Sequence, residues 1–329
     1  MVQTSYDVVI VGGGAAGLSA GLTLARARRS VLVIDSGEPR NAPAAGVHNY
    51  LGSEGTPPGD LLSAGRDEVT GYGGEILSAT VASVHRLHGD GDGDNGVDGG
   101  LGVVLDDGRS VLARRLLVTT GLVDELPDVA GVDARWGHDV LHCPYCHGWE
   151  VRDEPIGVLA SGPFAVHQAM LFRQWSDDVT LFRHTAPPLT DDELEQLGAR
   201  GITVVEGEVT ALEVTDGAIS GVRLRSGDVV PRRAVTVQPR FTARAEVLEP
   251  LGVKVTDIEM GGHVVGTQVA ADPAGATDAP GVWVAGNVAD VRLTAIGAAA
   301  AGVQTAGAIN ADLVDEDVRD AVRAAKLPA

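Results

Sequence analysis

The chain has 329 residues and carries 45 acidic against 25 basic side chains, a formal net charge of −20. At about 100–200 residues per domain this length predicts two domains, and 44% hydrophobic with 21% charged residues describes a globular chain. The acidic balance, with lysine only at Lys254 and Lys326 and no basic run, excludes nucleic acid as an expected partner and disfavours anionic membrane surfaces.

Taken in order, Tyr6–Val11 is an apolar run that turns through glycines into a small-residue helix and continues to the strand Ser30–Asp35, one βαβ unit. The stretch preceding it lacks the basic and long apolar regions of a signal peptide, so a cytoplasmic location is expected. A Pro/Gly-rich loop spans Ser36–Gly59, a helix runs to about Tyr72, and short strands near Glu75–Leu87 and Gly102–Leu105 suggest a meander branching off the sheet. The Gly/Asp stretch 88–100 superficially resembles a calcium loop, yet counting from Asp90 the sixth position is Asn95 and the twelfth Leu101, which fits neither requirement of an EF-hand; a solvated hairpin tip is expected and no metal. Arg115–Gly121 is a further strand. Pro155–Ala169 and Asp178–His184 then repeat the opening unit in weaker form, followed by strands at Ile202–Val205, Ala211–Val214, Val222–Leu224 and Ala234–Val237. Gly281–Val288 and the uncharged stretch Leu293–Ala311, which reads as a buried helix and not a membrane span, return to the first sheet. The fold class is therefore α/β, with a discontinuous first domain, 1–120 and 246–329, and an inserted second domain, 121–245.

Two motifs carry chemistry. Gly12-Gly-Gly-Ala-Ala-Gly17 fits G-x-G-x-x-G between a strand and a helix, and Asp35 closes the next strand 18 residues after Gly17. Gly12 permits the tight turn, Gly14 lets backbone N–H groups approach a pyrophosphate, Gly17 lets helix and strand pack closely, and Asp35 accepts from a ribose hydroxyl. Cys143-Pro-Tyr-Cys146 contains both cysteines of the chain and is flanked by His142 and His147. Zinc needs four ligands, and two cysteines with two adjacent histidines surround one ion only under severe strain; a structural disulfide across so short a loop constrains little. Redox exchange needs a thiolate at one sulfur and a proton donor for the other, both of which a neighbouring imidazole supplies. His147 is the first choice for that role and His142 the second.

These motifs, with Thr119-Thr-Gly121 and Gly281-Val-Trp-Val-Ala-Gly-Asn287, resemble in order and over nearly the whole chain the low-molecular-weight thioredoxin reductases. The resemblance implies two Rossmann-like nucleotide-binding domains, FAD in the first, and a homodimer. It places flavin contacts at Gly12, Gly14, Ala15, Ala16, Gly17, Asp35, Ser36, Arg40, Asn49, Val81, Thr120, Gly121, Gly286, Asn287, Thr294 and Ala295, with an amide at Asn287 where the family has a carboxylate. Where the family has a glycine-rich NADPH turn, this chain has Ala160-Ser-Gly-Pro-Phe-Ala165, in which the Ala160 methyl crowds the turn and Pro163 removes a donor. The arginine-rich 2′-phosphate site is reduced to Arg183-His-Thr, and His147 replaces the family's aspartate. C-x-x-C-His-Gly beside an eroded NADPH site is similar to the dithiol oxidases that close gliotoxin- and holomycin-type disulfides. The activity so implied takes electrons from a small-molecule dithiol through Cys143, Cys146 and FAD to molecular oxygen. A disulfide reductase using NADPH or another donor is the alternative, and a non-catalytic flavoprotein a second.

Overall fold

The computed structural model describes residues 4–87 and 100–326; the expected hairpin tip lies outside them. Two sheets dominate, the first mixed and the second parallel. In the first, Ser5–Val11 lies between Val31–Asp35 and Ser110–Val118, all parallel, and Val282–Val284 pairs with the far side of Ser110–Val118 in the register Trp283 to Leu117. The last strand of the chain thus sits inside the sheet begun by the first. Glu75–Ser78 forms the parallel edge, while Val81–Arg86, Leu101–Leu105 and Ser110–Val118 run antiparallel. The expected meander is therefore an extension of the sheet, and only its first strand belongs to the parallel half.

The run Val8–Val11 is apolar without alternation because both faces of its strand are covered. Val8 and Ile10 pack under helices with Leu18, Leu24, Ala306 and Ile309. Val9 and Val11 face the opposite side with Val84, Val103 and Leu248. The second sheet is wholly parallel, in the order Thr203–Val205, Val179–Phe182, Ile156–Leu159, Ala234–Thr236, Val140–Leu141. Between the sheets, Leu122–Glu125 and Arg240–Ala243 pair antiparallel with each other and join the hairpin Val255–Met260/His263–Val269. That hairpin escaped sequence reading because its surface is mostly exposed and its apolar pattern correspondingly weak.

The terminal helix, Ala295–Lys326, is longer than its uncharged half, and it is buried on one face only, through Ala298, Ala299, Gly302, Thr305, Ala306, Ile309 and Leu313. Among the described residues no helix is long and apolar enough to cross a membrane. The charged half is held by ion pairs. Arg115, only 4% exposed, bonds Asp312 at 2.5 Å and Glu316. Arg114 bonds Asp7 at 2.8 Å, Glu316 at 2.8 Å and Asp317 at 2.6 Å. Burial opposes ionisation of Glu316, but hydrogen bonds from Arg114 and Arg115 outweigh it and hold its carboxyl below the usual range; Asp317 is lowered by Arg114 and Arg29. Folded-state pKa values below unfolded ones give stability that is present above the unfolded values and lost as pH falls through the folded ones. Arg114→Met is therefore expected to cost about 1–2 kcal/mol at pH 7 and much less near pH 3, read from the gap in thermal midpoint between variant and wild type at the two pH values.

Candidate active site

The first strand leads directly into Gly12, whose φ of +106° and a Cβ that would lie 2.6 Å from the Thr119 carbonyl oxygen exclude any side chain. The Gly13 N–H donates to Asp35 Oδ1 at 3.0 Å. A Cβ there would lie 2.6 Å from the same carboxyl, so the middle glycine of the run is also required, which the motif alone does not reveal. Gly17 would place its Cβ 1.9 Å from the Gly12 carbonyl oxygen, and so serves close packing. Gly14 has open space where its Cβ would stand. It precedes the helix Ala15–Arg26, which has no side-chain cap and no acid in its first turn. An uncapped, unobstructed N-terminus beside a carboxylate suits a pyrophosphate and its ribose, so the residues present fit the flavin dinucleotide.

A cavity of about 1010 Å³ opens here. Of the expected flavin contacts, Gly12, Gly14, Ala15, Ala16, Asp35, Ser36, Arg40, Val81, Thr120, Gly121, Gly286, Asn287, Thr294 and Ala295 line it, and so do His142, Cys143, Cys146 and His147. Gly17 and Asn49 do not line it. Asn49, at φ +58°, donates from Nδ2 to the Tyr145 carbonyl at 2.6 Å, anchoring the cysteine turn to the loop 47–56. Arg40 is bidentate to Asp124, at 2.7 and 2.6 Å, and lies over the Phe241 ring.

Asn287 donates from Nδ2 to the carbonyls of Asp290 and Leu293, both at 3.0 Å, so its other amide atom, an acceptor, is the one left for a ligand. The family's carboxylate would set an anionic oxygen against two carbonyl oxygens in this chain. Asn287→Asp is accordingly expected to cost about 1–3 kcal/mol and to loosen the flavin, measured as cofactor released on gel filtration and as a lower thermal midpoint.

The cysteine turn is the short helix Pro144–His147, with Cys143 as its N-cap. Cys146 Sγ lies 2.7 Å from Cys143 Sγ, and both are free thiols. Donation from the Cys146 thiol, opposed by burial and aided by the backbone N–H groups of Cys146 and Tyr145, lowers the Cys143 pKa to about 7. The same bond and burial push Cys146 upward. The reduced pair thus holds its negative charge on Cys143 and its proton on Cys146. Burial lowers the pKa of both flanking histidines. Beside His147 stands His48, 6.4 Å between ring centroids, which bonds Glu54 at 2.7 Å and approaches Glu150 at 3.4 Å. Sequence reasoning missed His48 although its neighbour Asn49 was singled out.

The second dinucleotide turn is occupied from within. Gln238 Oε1 accepts from the Phe164 N–H at 3.3 Å, and a Cβ on Gly162 would lie 2.5 Å from that same oxygen. Arg183 is engaged by Glu206 and by the Ala186 carbonyl, and His184 Nδ1 accepts from the Val209 N–H at 3.0 Å. Gln238 and Phe164 also line the shared cavity. Among the described residues no cluster of His, Cys, Asp and Glu is arranged to hold a metal.

Residues 6–307 match the family model described as pyridine nucleotide-disulphide oxidoreductase. Thioredoxin reductase aclD of Aspergillus oryzae is 30% identical over 298 residues, spanning 87% of this chain and 90% of its own. Thioredoxin reductase sirT of Leptosphaeria maculans is 27% identical over 329 residues, spanning 95% and 96%. The crystal structure of HlmI superposes with a TM-score of 0.88 at 47% identity, covering 99% of this chain and 98% of that one. Because the match runs through both sheets and the cysteine turn, the chain belongs to the pyridine nucleotide-disulphide oxidoreductase family and is a flavin-dependent thiol/disulfide oxidoreductase of thioredoxin-reductase-like, FAD-binding fold.

Proposed function

We propose that the protein is an FAD-dependent dithiol oxidase that closes an intramolecular disulfide in a small natural-product dithiol, with molecular oxygen as final acceptor. The observation that carries this reading is that the cysteine pair and the flavin cradle share one cavity, beside a second dinucleotide turn already filled by Gln238 and Phe164. The resemblance of C-x-x-C-His-Gly to gliotoxin- and holomycin-type oxidases supports it. The division into a discontinuous flavin unit and an inserted unit, and assembly as a homodimer, belong to the same reading.

The flavin, when bound, supplies a two-electron acceptor that oxygen regenerates with release of hydrogen peroxide. The chain's own residues do the sulfur chemistry. A substrate thiolate attacks Cys143 of the oxidised pair, and Cys146 leaves. The second substrate thiol then closes on the first and expels Cys143, whose low pKa makes it the better leaving group. Cys146 must next lose its proton before Cys143 and Cys146 can rejoin and surrender their electron pair. That proton is the one a base must handle, and His142 and His147 both stand within the cavity.

Anaerobic titration tests the reading: a small dithiol should bleach the flavin, NADPH should not, and admitting oxygen should restore the colour with one peroxide per dithiol. Oxygen-silent protein that reduces disulfides with NADPH would establish the reductase instead.

A further inference from the structure

The residue before the first cysteine is held in a way that the residue after the second is not. His142 Nδ1 lies 3.2 Å from the Val237 carbonyl oxygen. The ring meets Phe241 edge to face at 5.2 Å between centroids. A carbonyl oxygen only accepts, so the neutral ring carries its proton on Nδ1 and presents a bare lone pair at Nε2. Among the described residues nothing bonds that Nε2, and it is not sealed off. His147 is the opposite case, since its Nε2 is buried with no partner.

What fixes His142 is Gln168, on the helix Ala165–Phe172. Its Nε2 donates to the His142 carbonyl at 3.0 Å and to the Val237 carbonyl at 3.2 Å. One side chain therefore ties the backbone of His142 to the same oxygen that receives the imidazole N–H. Two carbonyl neighbours also settle which amide atom points where. Packing alone does not explain a glutamine here. The residue is 7% exposed, and its Oε1 is buried without a partner. A leucine of similar size would avoid the penalty of about 1–3 kcal/mol that an orphaned carbonyl carries.

We propose that His142 is the acid/base of the dithiol reaction and that Gln168 is the positioning residue that holds it in the Nδ1–H tautomer. The inference rests on the dithiol-oxidase reading and specifies its proton path. In the first exchange the substrate–Cys143 bond forms and the Cys143–Cys146 bond breaks; His142 Nε2 takes the substrate's proton and gives it to the departing Cys146 sulfur. In the second, the substrate's own S–S bond forms and its bond to Cys143 breaks. The second proton leaves through the same nitrogen to solvent, and Cys143 remains as the thiolate. The substrate is oxidised by two electrons and the cysteine pair reduced by two. Burial favours the neutral ring and Arg40 acts in the same direction, against the hydrogen bond to Val237 and, less, against Asp124.

Anaerobic flavin bleaching by dithiothreitol from pH 6 to 10 tests this. His142→Gln should slow bleaching about 100- to 10,000-fold at pH 7, and the defect should shrink toward pH 10, where the thiols ionise without help. Gln168→Leu should slow it about tenfold, lowering kcat more than raising KM, with an altered pH profile. Added imidazole should partly rescue His142→Ala. Gln168→Met serves in place of the leucine variant if that variant loses its flavin. A larger loss in His147→Gln than in His142→Gln, a pH-independent His142→Gln defect, or a wild-type pH profile in both Gln168 variants would overturn the assignment. Wild-type protein that dithiothreitol leaves unbleached, and that consumes no oxygen with other small dithiols, would instead overturn the oxidase reading itself.

Discussion

Cys146→Ser is expected to slow flavin reduction by a small dithiol at least about 1,000-fold, because a serine cannot form the disulfide through which the electron pair travels. Removing the donor at this position should also disturb its neighbour measurably. The largest influence lowering the Cys143 pKa to about 7 is donation from the Cys146 thiol, 2.7 Å away. A hydroxyl still donates whereas a methyl does not, so in Cys146→Ala the pH midpoint of Cys143 alkylation by iodoacetamide should move up toward that of an ordinary thiol. Cys143→Ser should be equally inactive but shift the remaining thiol the other way, since Cys146 is raised chiefly by the thiolate it faces. Two inactive variants with opposite titration shifts would show that the sulfurs are unequal partners. If Cys146→Ser were reduced by dithiol at the wild-type rate, electron transfer through the pair would be excluded.

The second large effect concerns the crossing of two helices. Gly302 on the terminal helix stands so close to the opening helix that a Cβ would lie 2.1 Å from the Ala16 carbonyl oxygen. The obstacle is backbone, which no rotamer change relieves. Ala16 also lines the flavin cavity. Gly302→Ala should therefore part the helices and deform the cradle, costing about 3 kcal/mol or more and weakening flavin retention at least tenfold. Gly307, five residues on, is exposed, and a methyl added there would meet nothing within 4 Å. Gly307→Ala should be neutral or stabilise by about 0.5–1 kcal/mol through helix propensity. Thermal midpoints and the flavin-to-protein absorbance ratio of the two variants make the comparison. Equal behaviour would show that the crossing does not shape the cradle.

Legibility in the sequence followed the range of the interaction. Gly12, Gly14 and Gly17 were readable because a strand, a turn and a helix adjoin in sequence, and Asp35 because the next strand lies alongside. Cys143 and Cys146 were readable because their partner is three residues away. The contacts of Gln168 with His142 and Val237, of Gln238 with Phe164, and of His48 with Glu150 join segments from 26 to 102 residues apart. No local pattern distinguishes these side chains from ordinary polar residues. Asn49 shows the same limit from the other side: the resemblance places it at the flavin, and only the structure shows that its amide nitrogen also donates to the Tyr145 carbonyl, 96 residues away. The terminal helix was recognised but its length was not, since Arg114 and Arg115 on a distant strand are what hold its acidic half.

The placement of Val282–Val284 beside Ser110–Val118 governs the order in which the molecule can be assembled during synthesis. All five strands of the second parallel sheet lie between residues 140 and 236 and have left the ribosome before that last strand is made. The first sheet, although begun at residue 5, stays open along one side until residue 284 arrives, and its opening helix is covered only in part, by Leu62 and Val69 of the helix Pro58–Gly71, until the terminal helix follows. The nascent chain must therefore carry an unfinished apolar surface around Val8, Ile10 and Leu24 during the more than 250 residues of synthesis that separate the first strand from its last partner, an interval in which that surface is open to misfolding.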